Sequence, residues 1–368
     1  MIVRKLELTN FRNMESLCVK PEEGVNVLYG DNAQGKTNIL EALWLFTGAK
    51  SFKGSSEGDF IRIGHKEALT KLDFCAGERE QEASICYKEK NDTSEKGKIF
   101  LNEVPLKNRQ ALSGHFCAMV FAPEHINLIK DGPSLRRKFL DDAMCQIRPK
   151  YALLLKEYNK ALAQRNALLK DVSRHSELLD VLELWEDTLA KTGGKIAFLR
   201  HSYVKKLRDL AAEVYMSISE QKEKLSIAYE AGEEDFDAET HEKAYKKALT
   251  DNRINDIAAG VTQTGIHRED MLIDIDNLSA RTYASQGQRR SGALALKLAE
   301  AALLEQTIGE TPVCLLDDVM SELDQSRQNY ILNHIKGFQV FITCCDPAQI
   351  VNKTQGRLFK IQNGNIMP

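Results

Sequence analysis

No two of the eight cysteines stand at C-x-x-C spacing, and Cys344 and Cys345 adjoin each other in an apolar, strand-like run, which argues against a zinc site. Thiols without partners predict a reducing, cytoplasmic setting. No stretch of about 18 uninterrupted apolar residues occurs, so no segment reads as a membrane span. The chain enters a strand pattern at once, Ile2-Val3-Arg4-Lys5-Leu6-Glu7-Leu8, without a basic-then-apolar leader. Neither sign of charge is in excess: 50 Lys and Arg against 53 Asp and Glu leave a formal −3. Any surface for nucleic acid therefore has to be a local patch. What remains is ordinary globular composition, 43% hydrophobic and 28% charged. A length of 368 residues can bury a large core and predicts about two folding units.

The segment Gly30-Asp31-Asn32-Ala33-Gln34-Gly35-Lys36-Thr37 has the spacing of a phosphate-binding loop. It stands between Val25–Tyr29, an apolar run that reads as a buried strand, and residues 38–46, which have the apolar density of a core helix. Gly30 and Gly35 allow backbone conformations closed to residues with a Cβ. Successive N–H groups can then point inward at phosphate oxygens, helped by the positive end of the helix. In such a loop Lys36 neutralises the β- and γ-phosphates and the Thr37 hydroxyl ligates Mg²⁺. The chain is expected to bind a nucleoside triphosphate.

Up to about residue 145 the pattern mixes short strands with turns. Residues 72–75 and 83–87 alternate, and residues 98–101 meet 104–106 across Asn102-Glu103 as a tight hairpin. Residues 91–97 read as a polar loop. Residues 150–219 contain no proline and run at helical spacing. Leu155, Tyr158, Leu162 and Leu169 lie on one stripe, and Leu178, Leu182, Trp185, Leu189, Ile196, Leu199 and Tyr203 on another, as in helices packed side by side. Residues 171–176 read as the turn of that helical hairpin. Gly193-Gly194 weakens the second helix by about 1 kcal/mol per glycine and predicts a bend or a close helix contact. The acidic residues 233–237 read as a solvated loop. After Val261 the α/β character returns: residues 313–316 and 340–343 read as buried parallel-sheet strands, and 358–361 with Asn363-Gly364 as a terminal strand and turn. The expected division is a split nucleotide-binding head, 1–147 and 262–368, with an inserted helical domain, 148–261.

The apolar strand from Val313 ends in two carboxylates. Asp317 can hold Mg²⁺ through its waters and Asp318 can orient or deprotonate the attacking water. With Lys36 they form the expected catalytic set. Ser321-Glu322-Leu323-Asp324 follows directly. Upstream, Ser285-Gln286-Gly287-Gln288-Arg289-Arg290-Ser291-Gly292 opens a strongly helical stretch. A serine, a glycine and free N–H groups at a helix start form a second anion site. One γ-phosphate does not need two cradles from one subunit, so Ser285, Gly287 and Gln288 are expected to serve the nucleotide of a partner subunit.

Phosphate loop, Ser-Gln-Gly-Gln helix start, strand ending in Asp317-Asp318, and Ser-Glu-Leu-Asp loop come in the order found in ABC-type ATPase heads. The chain resembles the SMC-like DNA-repair branch of that family in particular. Leu8-Thr9-Asn10-Phe11-Arg12-Asn13 is similar to the start of that branch, where the basic residue, here Arg12, approaches the nucleotide. Residues 123–141, Gly265-Ile266-His267-Arg268-Glu269-Asp270 and residues 315–324 extend the resemblance over essentially the whole chain. It implies an α/β fold, an ABC-type ATPase head built on a mixed sheet with the phosphate loop and an antiparallel β subdomain, carrying an inserted α-helical hairpin domain. Two helices of about 20 to 40 residues reach only about 30–60 Å, too short for the coiled-coil arms of true SMC proteins.

The resemblance further implies ATP and Mg²⁺ as cofactors and an ATP-dependent homodimer with slow hydrolysis. It implies a weak, DNA-linked ATPase that acts as a binding switch in recombinational DNA repair, replication-fork maintenance and the SOS response. Its DNA would be single-stranded, gapped or linear double-stranded, its partners RecR- and RecO-type mediator proteins, and no membrane is involved. Expected DNA contacts are Lys107, Arg109, Arg136, Arg137 and Lys138, with Lys50 and Lys53; the plainer reading of each is a solvated or ion-paired surface residue. The chain departs from the wider ABC pattern. Ala284-Ser285-Gln286-Gly287-Gln288 replaces a leucine and one glycine of the usual signature, and Asp318 stands where most members have glutamate. Glu124 is the substitute for a glutamine loop and Thr343 for the switch histidine. His267 reads as structural, with a place at the site as the alternative. A small-molecule kinase would explain Lys36 and Thr37 but gives no use for residues 285–288 or 321–324. A transporter's nucleotide-binding subunit suits neither the long central helices nor residues 123–141.

Overall fold

The computed structural model describes residues 1–89, 97–172, 175–230, 237–351 and 353–367. The apolar runs assemble side by side. Across one six-stranded sheet the order is Ala118–Phe121, Val313–Asp317, Val340–Cys344, Val25–Tyr29 and Arg357–Gln362, all parallel, then the antiparallel Asn365–Met367. The first three are buried at every position, as strands covered on both faces must be. Strands from both ends of the chain thus share one sheet. Its register sets Thr343 opposite Asp317 on one side and Leu28 on the other, with Cys344 opposite Tyr29. The segments that follow Tyr29, Asp317 and Cys344 therefore leave the same edge, where ligands of such sheets bind.

The helix Lys36–Leu45 lies between this sheet and a second, antiparallel one ordered Met14–Val19, Ile2–Phe11, Glu67–Ala76, Arg79–Lys88, Ile99–Leu101 and Val104–Leu106. Its Ile39, Leu40, Leu43 and Trp44 share a core with Leu6, Leu8 and Phe11 from one sheet and Leu315 and Phe341 from the other. A helix covered on both sides is apolar nearly all round, and each large side chain buried there is worth about 1.5–3 kcal/mol. Asn102 (φ 49°) and Glu103 (φ 64°) form the two-residue hairpin turn read from the sequence. Residues 91–96 of the expected polar loop, 173–174 of the expected helical turn and 233–236 of the acidic run lie outside the described residues.

One stretch differs from the strand-and-turn expectation. Pro133–Ile147 is a helix, with Gly132 as its N-cap and Pro133 opening it. Its buried Arg136, Phe139, Leu140, Ala143 and Met144 step by three and four, a helical period interrupted by enough charge to look irregular. The helices Pro149–Asp171 and Leu179–Ile218 follow, of 23 and 40 residues. Leu182 is buried, Leu189, Ile196 and Tyr203 lie in the core these helices share with their neighbours, and Trp185 and Leu199 are half-buried against that core. This part of the chain also contributes a strand. Leu225–Tyr229 pairs with Met271–Ile275, which pairs with Leu278–Ser279.

At Gly193-Gly194 the long helix makes a close contact. A Cβ on Gly194 would lie 2.8 Å from the Ala238 carbonyl oxygen and 2.9 Å from the Glu242 nitrogen, both backbone of the crossing helix Ala238–Asp251. Backbone cannot yield as a side chain does. Gly194→Ala is expected to lower unfolding free energy in a urea titration by about 1–3 kcal/mol, the range for overpacking, despite alanine's better helix propensity; a stabilised variant would contradict the contact.

Candidate nucleotide site

Gly30 (φ 146°) and Gly35 (φ 108°) both hold backbone conformations that side chains disfavour. Space reinforces the requirement: a Cβ on Gly30 would collide with the Ile361 carbonyl oxygen, and one on Gly35 would lie 2.8 Å from the Asn13 side chain. Ala33 also has positive φ, 64°. Lys36 folds back over the loop, its Nζ donating to the Gly30 carbonyl at 2.5 Å and the Asp31 carbonyl at 2.9 Å. Among the described residues the N–H groups of Asn32 to Gly35 find no acceptor. Unclaimed donors around an ammonium make a cradle for an oxyanion.

Asp317 is 6% exposed and sits at the centre of the site. Its Oδ1 accepts from Thr37 Oγ1 at 2.8 Å and from Thr343 Oγ1 at 2.8 Å. Burial pushes its carboxyl above the ordinary value, opposed by those two hydroxyls and the Lys53 charge and reinforced by Glu124. Thr343 Oγ1 also accepts the Asp318 N–H at 2.9 Å. Thr343 is thus a buried bracket between the two aspartates. Asp318 has φ 48°, a conformation non-glycine residues rarely hold. Its side chain is steadied by Ser321, whose Oγ donates to the Asp318 carbonyl at 2.7 Å and lies 3.2 Å from Oδ1.

Arg12 (φ 57°) is held against the helix that follows the phosphate loop, with its guanidinium engaged. It donates to both oxygens of Glu41, at 2.7–3.0 Å, and to Ser55, and lies 5.2 Å from the centroid of the Phe60 ring. Glu41 is fully buried. It had no place in the sequence reading, though a lone acid inside an apolar helix was its signal. The second turn also differs from expectation. Its N–H groups are not all free, because Ser285 Oγ accepts the Gln288 N–H at 3.2 Å and Gln288 Oε1 accepts the Ser285 N–H at 2.7 Å. Two further residues went unread there: Glu223 accepts from Gln288 Nε2 at 2.8 Å, and Arg327 donates to the Gly287 carbonyl at 3.0 Å.

Several expected DNA contacts need correction. Arg136 is 3% exposed, with both ends of its fork on Asp270 at 2.7 and 2.8 Å and the Leu128 and Asp131 carbonyls taking the rest. It is an internal tie. Arg109 is buried beside Glu57 at 3.7 Å. Arg137 is half-buried on the Glu269 carbonyl and Lys138 pairs with Asp142. The segment 133–141 is helical, so charges adjacent in sequence point to different sides. Lys107, Lys50 and Lys53 are exposed. His267 lies among the helices, bonded to Tyr158 Oη at 2.7 Å and the Thr262 carbonyl at 3.0 Å, as expected of a structural histidine.

Comparison with known proteins gives the family of the chain. Residues 2–366 match the RecF/RecN/SMC N-terminal domain family. The DNA replication and repair protein RecF of Agathobacter rectalis is 39% identical over 368 residues, spanning 100% of this chain and 99% of that protein. That of Clostridioides difficile is 36% identical, spanning 100% and 98%. A solved structure of the recombination mediator protein RecF, RecF-ATPrS in the RecFOR pathway, superposes with a TM-score of 0.91 at 38% identity, covering 99% of this chain and 97% of that one. The Smc head domain of Pyrococcus furiosus has a TM-score of 0.55 at 16% identity, over 99% and 95%, a likeness of fold alone.

The raised carboxyl of Asp317 has a consequence for stability. A buried acid whose ionisation is disfavoured in the fold lowers stability once pH rises through its folded pKa, and the loss disappears when it is protonated. Asp317→Asn keeps an oxygen for the Thr37 and Thr343 hydroxyls. It is expected to melt higher than the parent at neutral pH without nucleotide, with the gap closing as pH falls toward the ordinary carboxyl value of 3.8; a lower melting temperature at neutral pH would contradict it.

Proposed function

We propose, on the premise that this chain belongs to the RecF/RecN/SMC N-terminal domain family and within it to the RecF proteins of DNA replication and repair, that it is an ATP-gated DNA-binding switch of recombinational repair. Its fold is the SMC-like ABC-type ATPase head. In this reading the 1–147 and 262–368 segments form the ATPase head, and 148–261 is an inserted unit braced against it. Each ATP lies between the Gly30–Thr37 loop of one subunit and the Ser285 turn of another. ATP binding closes the pair, closure assembles a DNA-binding surface for single-stranded, gapped or linear duplex DNA, and hydrolysis releases it to RecO- and RecR-type partners.

One observation carries the reading: a single chain presents two glycine-containing turns at helix starts, the Gly30–Thr37 loop with open N–H groups beside Lys36, Thr37 and Asp317, and the self-capped Ser285 turn, which has no such neighbours among its described contacts. Lys36 exchanges loop carbonyls for phosphate oxygens, and the N–H groups of residues 32–35 complete the cradle. The Thr37 hydroxyl and the Asp317 carboxylate, hard oxygens 2.8 Å apart, form a donor set that suits Mg²⁺. When bound, that ion supplies charge neutralisation at the β- and γ-phosphates. Asp318 accepts the proton of the attacking water, held by Ser321 and Thr343. Its side chain is one methylene shorter than glutamate, which favours slow turnover.

Sedimentation with ATP tests the sandwich. Asp318→Asn is expected to bind ATP and remain dimeric, with turnover reduced on the order of a hundredfold or more, and Lys36→Arg to stay monomeric; an Asp318→Asn protein saturated with ATP yet monomeric would refute it. DNA affinity is expected to fall steeply with salt, and replacing Lys50, Lys53 or Lys107 by alanine to reduce the log–log slope by about one for each phosphate that the lysine neutralised. A slope unchanged in all three variants would remove these lysines from the DNA surface.

A further inference from the structure

The Ser285 turn is closed by its own side chains. Gln288 caps the Ser285 N–H through Oε1 and donates through Nε2 to Glu223 Oε1 at 2.8 Å. Glu223 comes from outside the helix that carries the turn: it follows Leu179–Ile218, the longest helix described. Its Oε2 accepts from Tyr215 Oη at 2.7 Å, and its backbone is tied to Ser219 Oγ at 3.2 and 3.4 Å. Tyr215 is fully buried, and its hydroxyl is pushed upward in pKa by burial and then by Glu223, so it stays a donor. One carboxylate therefore joins the end of the long helix to the start of Gln286–Ile308.

We propose that Glu223 is a positioning residue that keeps the Ser285 turn self-capped and thereby sets how much nucleotide is needed to close the dimer. The inference rests on the sandwich reading above. Two effects act in the same direction. The Gln288 amide oxygen occupies the Ser285 N–H that a phosphate oxygen would take, and Glu223 holds the amide in that orientation. Glu223 also puts a negative charge within one side chain of the place where an anion must arrive. Both oppose capture of a γ-phosphate in trans. Removing the carboxylate makes the turn a better anion site, and because Tyr215 anchors it, displacement of the long helix's end has the same effect.

The test uses the full chain. Dimer fraction is measured by sedimentation across an ATP titration for the parent, Glu223→Gln, Glu223→Ala and Tyr215→Phe. ATP affinity of the monomer is measured separately at protein concentrations too low for pairing. Glu223→Ala and Glu223→Gln are expected to dimerise at about fivefold lower ATP, the lower end of ordinary coupling between sites. Tyr215→Phe should move the midpoint the same way by less, and monomer affinity should be unchanged. Glu223→Gln is nearly isosteric, so it separates the charge from any loss of packing in Glu223→Ala. Midpoints at or above that of the parent in both Glu223 variants, with the parent dimerising normally, would overturn the proposal. A parent that binds ATP and never dimerises would overturn the sandwich reading itself.

Discussion

The structure depends on two hydroxyls that meet at one buried carboxylate. Asp317 ends a strand that is apolar up to that point, and nothing in its own strand stabilises its charge. Thr37 comes from the helix after the phosphate loop and Thr343 from the neighbouring strand, each 2.8 Å away. Side chains alternate along a strand, so a slip of one residue between Val313–Asp317 and Val340–Cys344 would turn Thr343 to the opposite face. A buried carboxyl with neither hydroxyl would lose the bonds that offset its desolvation. Parallel register is thus specified by polar chemistry at the sheet edge as well as by apolar burial within it.

The phosphate loop is likewise held from outside. Gln34 is the post: its carbonyl accepts from Asn13 Nδ2 at 3.2 Å and from the Gly364 N–H at 3.0 Å, and its side-chain oxygen from the Asn363 N–H at 2.5 Å. Asn13 belongs to the first hairpin and Asn363-Gly364 to the last. Gly364 (φ 75°) is itself pressed against Asn13, with a Cβ there only 2.7 Å from the Asn13 carbonyl oxygen. The two ends of the chain converge on a loop of eight residues, and its geometry is a property of the whole head. Arg12 makes the same point from the side, because its pairing with buried Glu41 ties the antiparallel sheet to the loop's helix.

These dependencies explain what the sequence could and could not disclose. The loop, the helix after it and the paired aspartates were legible because each is local, a spacing of glycines or an apolar run with an abrupt polar end. The hairpin at Asn102-Glu103 was legible for the same reason. The helix Pro133–Ile147 was hidden because its charged residues mask a period of three and four, and Arg136 resembled a surface cation because its partner Asp270 is 134 residues away. Glu41, Glu223 and Arg327 act through partners 29, 65 and 36–40 residues distant, and no local pattern announces such pairings. Gly193-Gly194 lies between these cases. The weak point in the helix could be read, while the backbone that fills it could not.

Arg327 shows why residues around the two turns should be considered together. Asp324 caps the helix Gln325–His334 by accepting the Arg327 N–H at 3.0 Å, and its carboxylate pairs with the Arg327 guanidinium. The rest of that guanidinium reaches the neighbouring helix, donating to Ser291 Oγ at 2.9 Å and the Gly287 carbonyl at 3.0 Å. The Arg327 guanidinium therefore sits over the turn at Gly287. Asp324 closes the segment that begins at Asp318 and includes Ser321. Within one subunit, then, the turn proposed to face a partner's nucleotide and the segment carrying the proposed water-orienting carboxylate are joined by charge-assisted hydrogen bonds, which are shorter and stronger than neutral ones. Arg327 thus links the Ser285 turn to Asp324, at the far end of the segment that begins at Asp318, and Glu223 links the turn to the end of the long helix. In the proposed closed pair, that arrangement would link the two nucleotide positions without requiring any change in the sheet that holds Asp317.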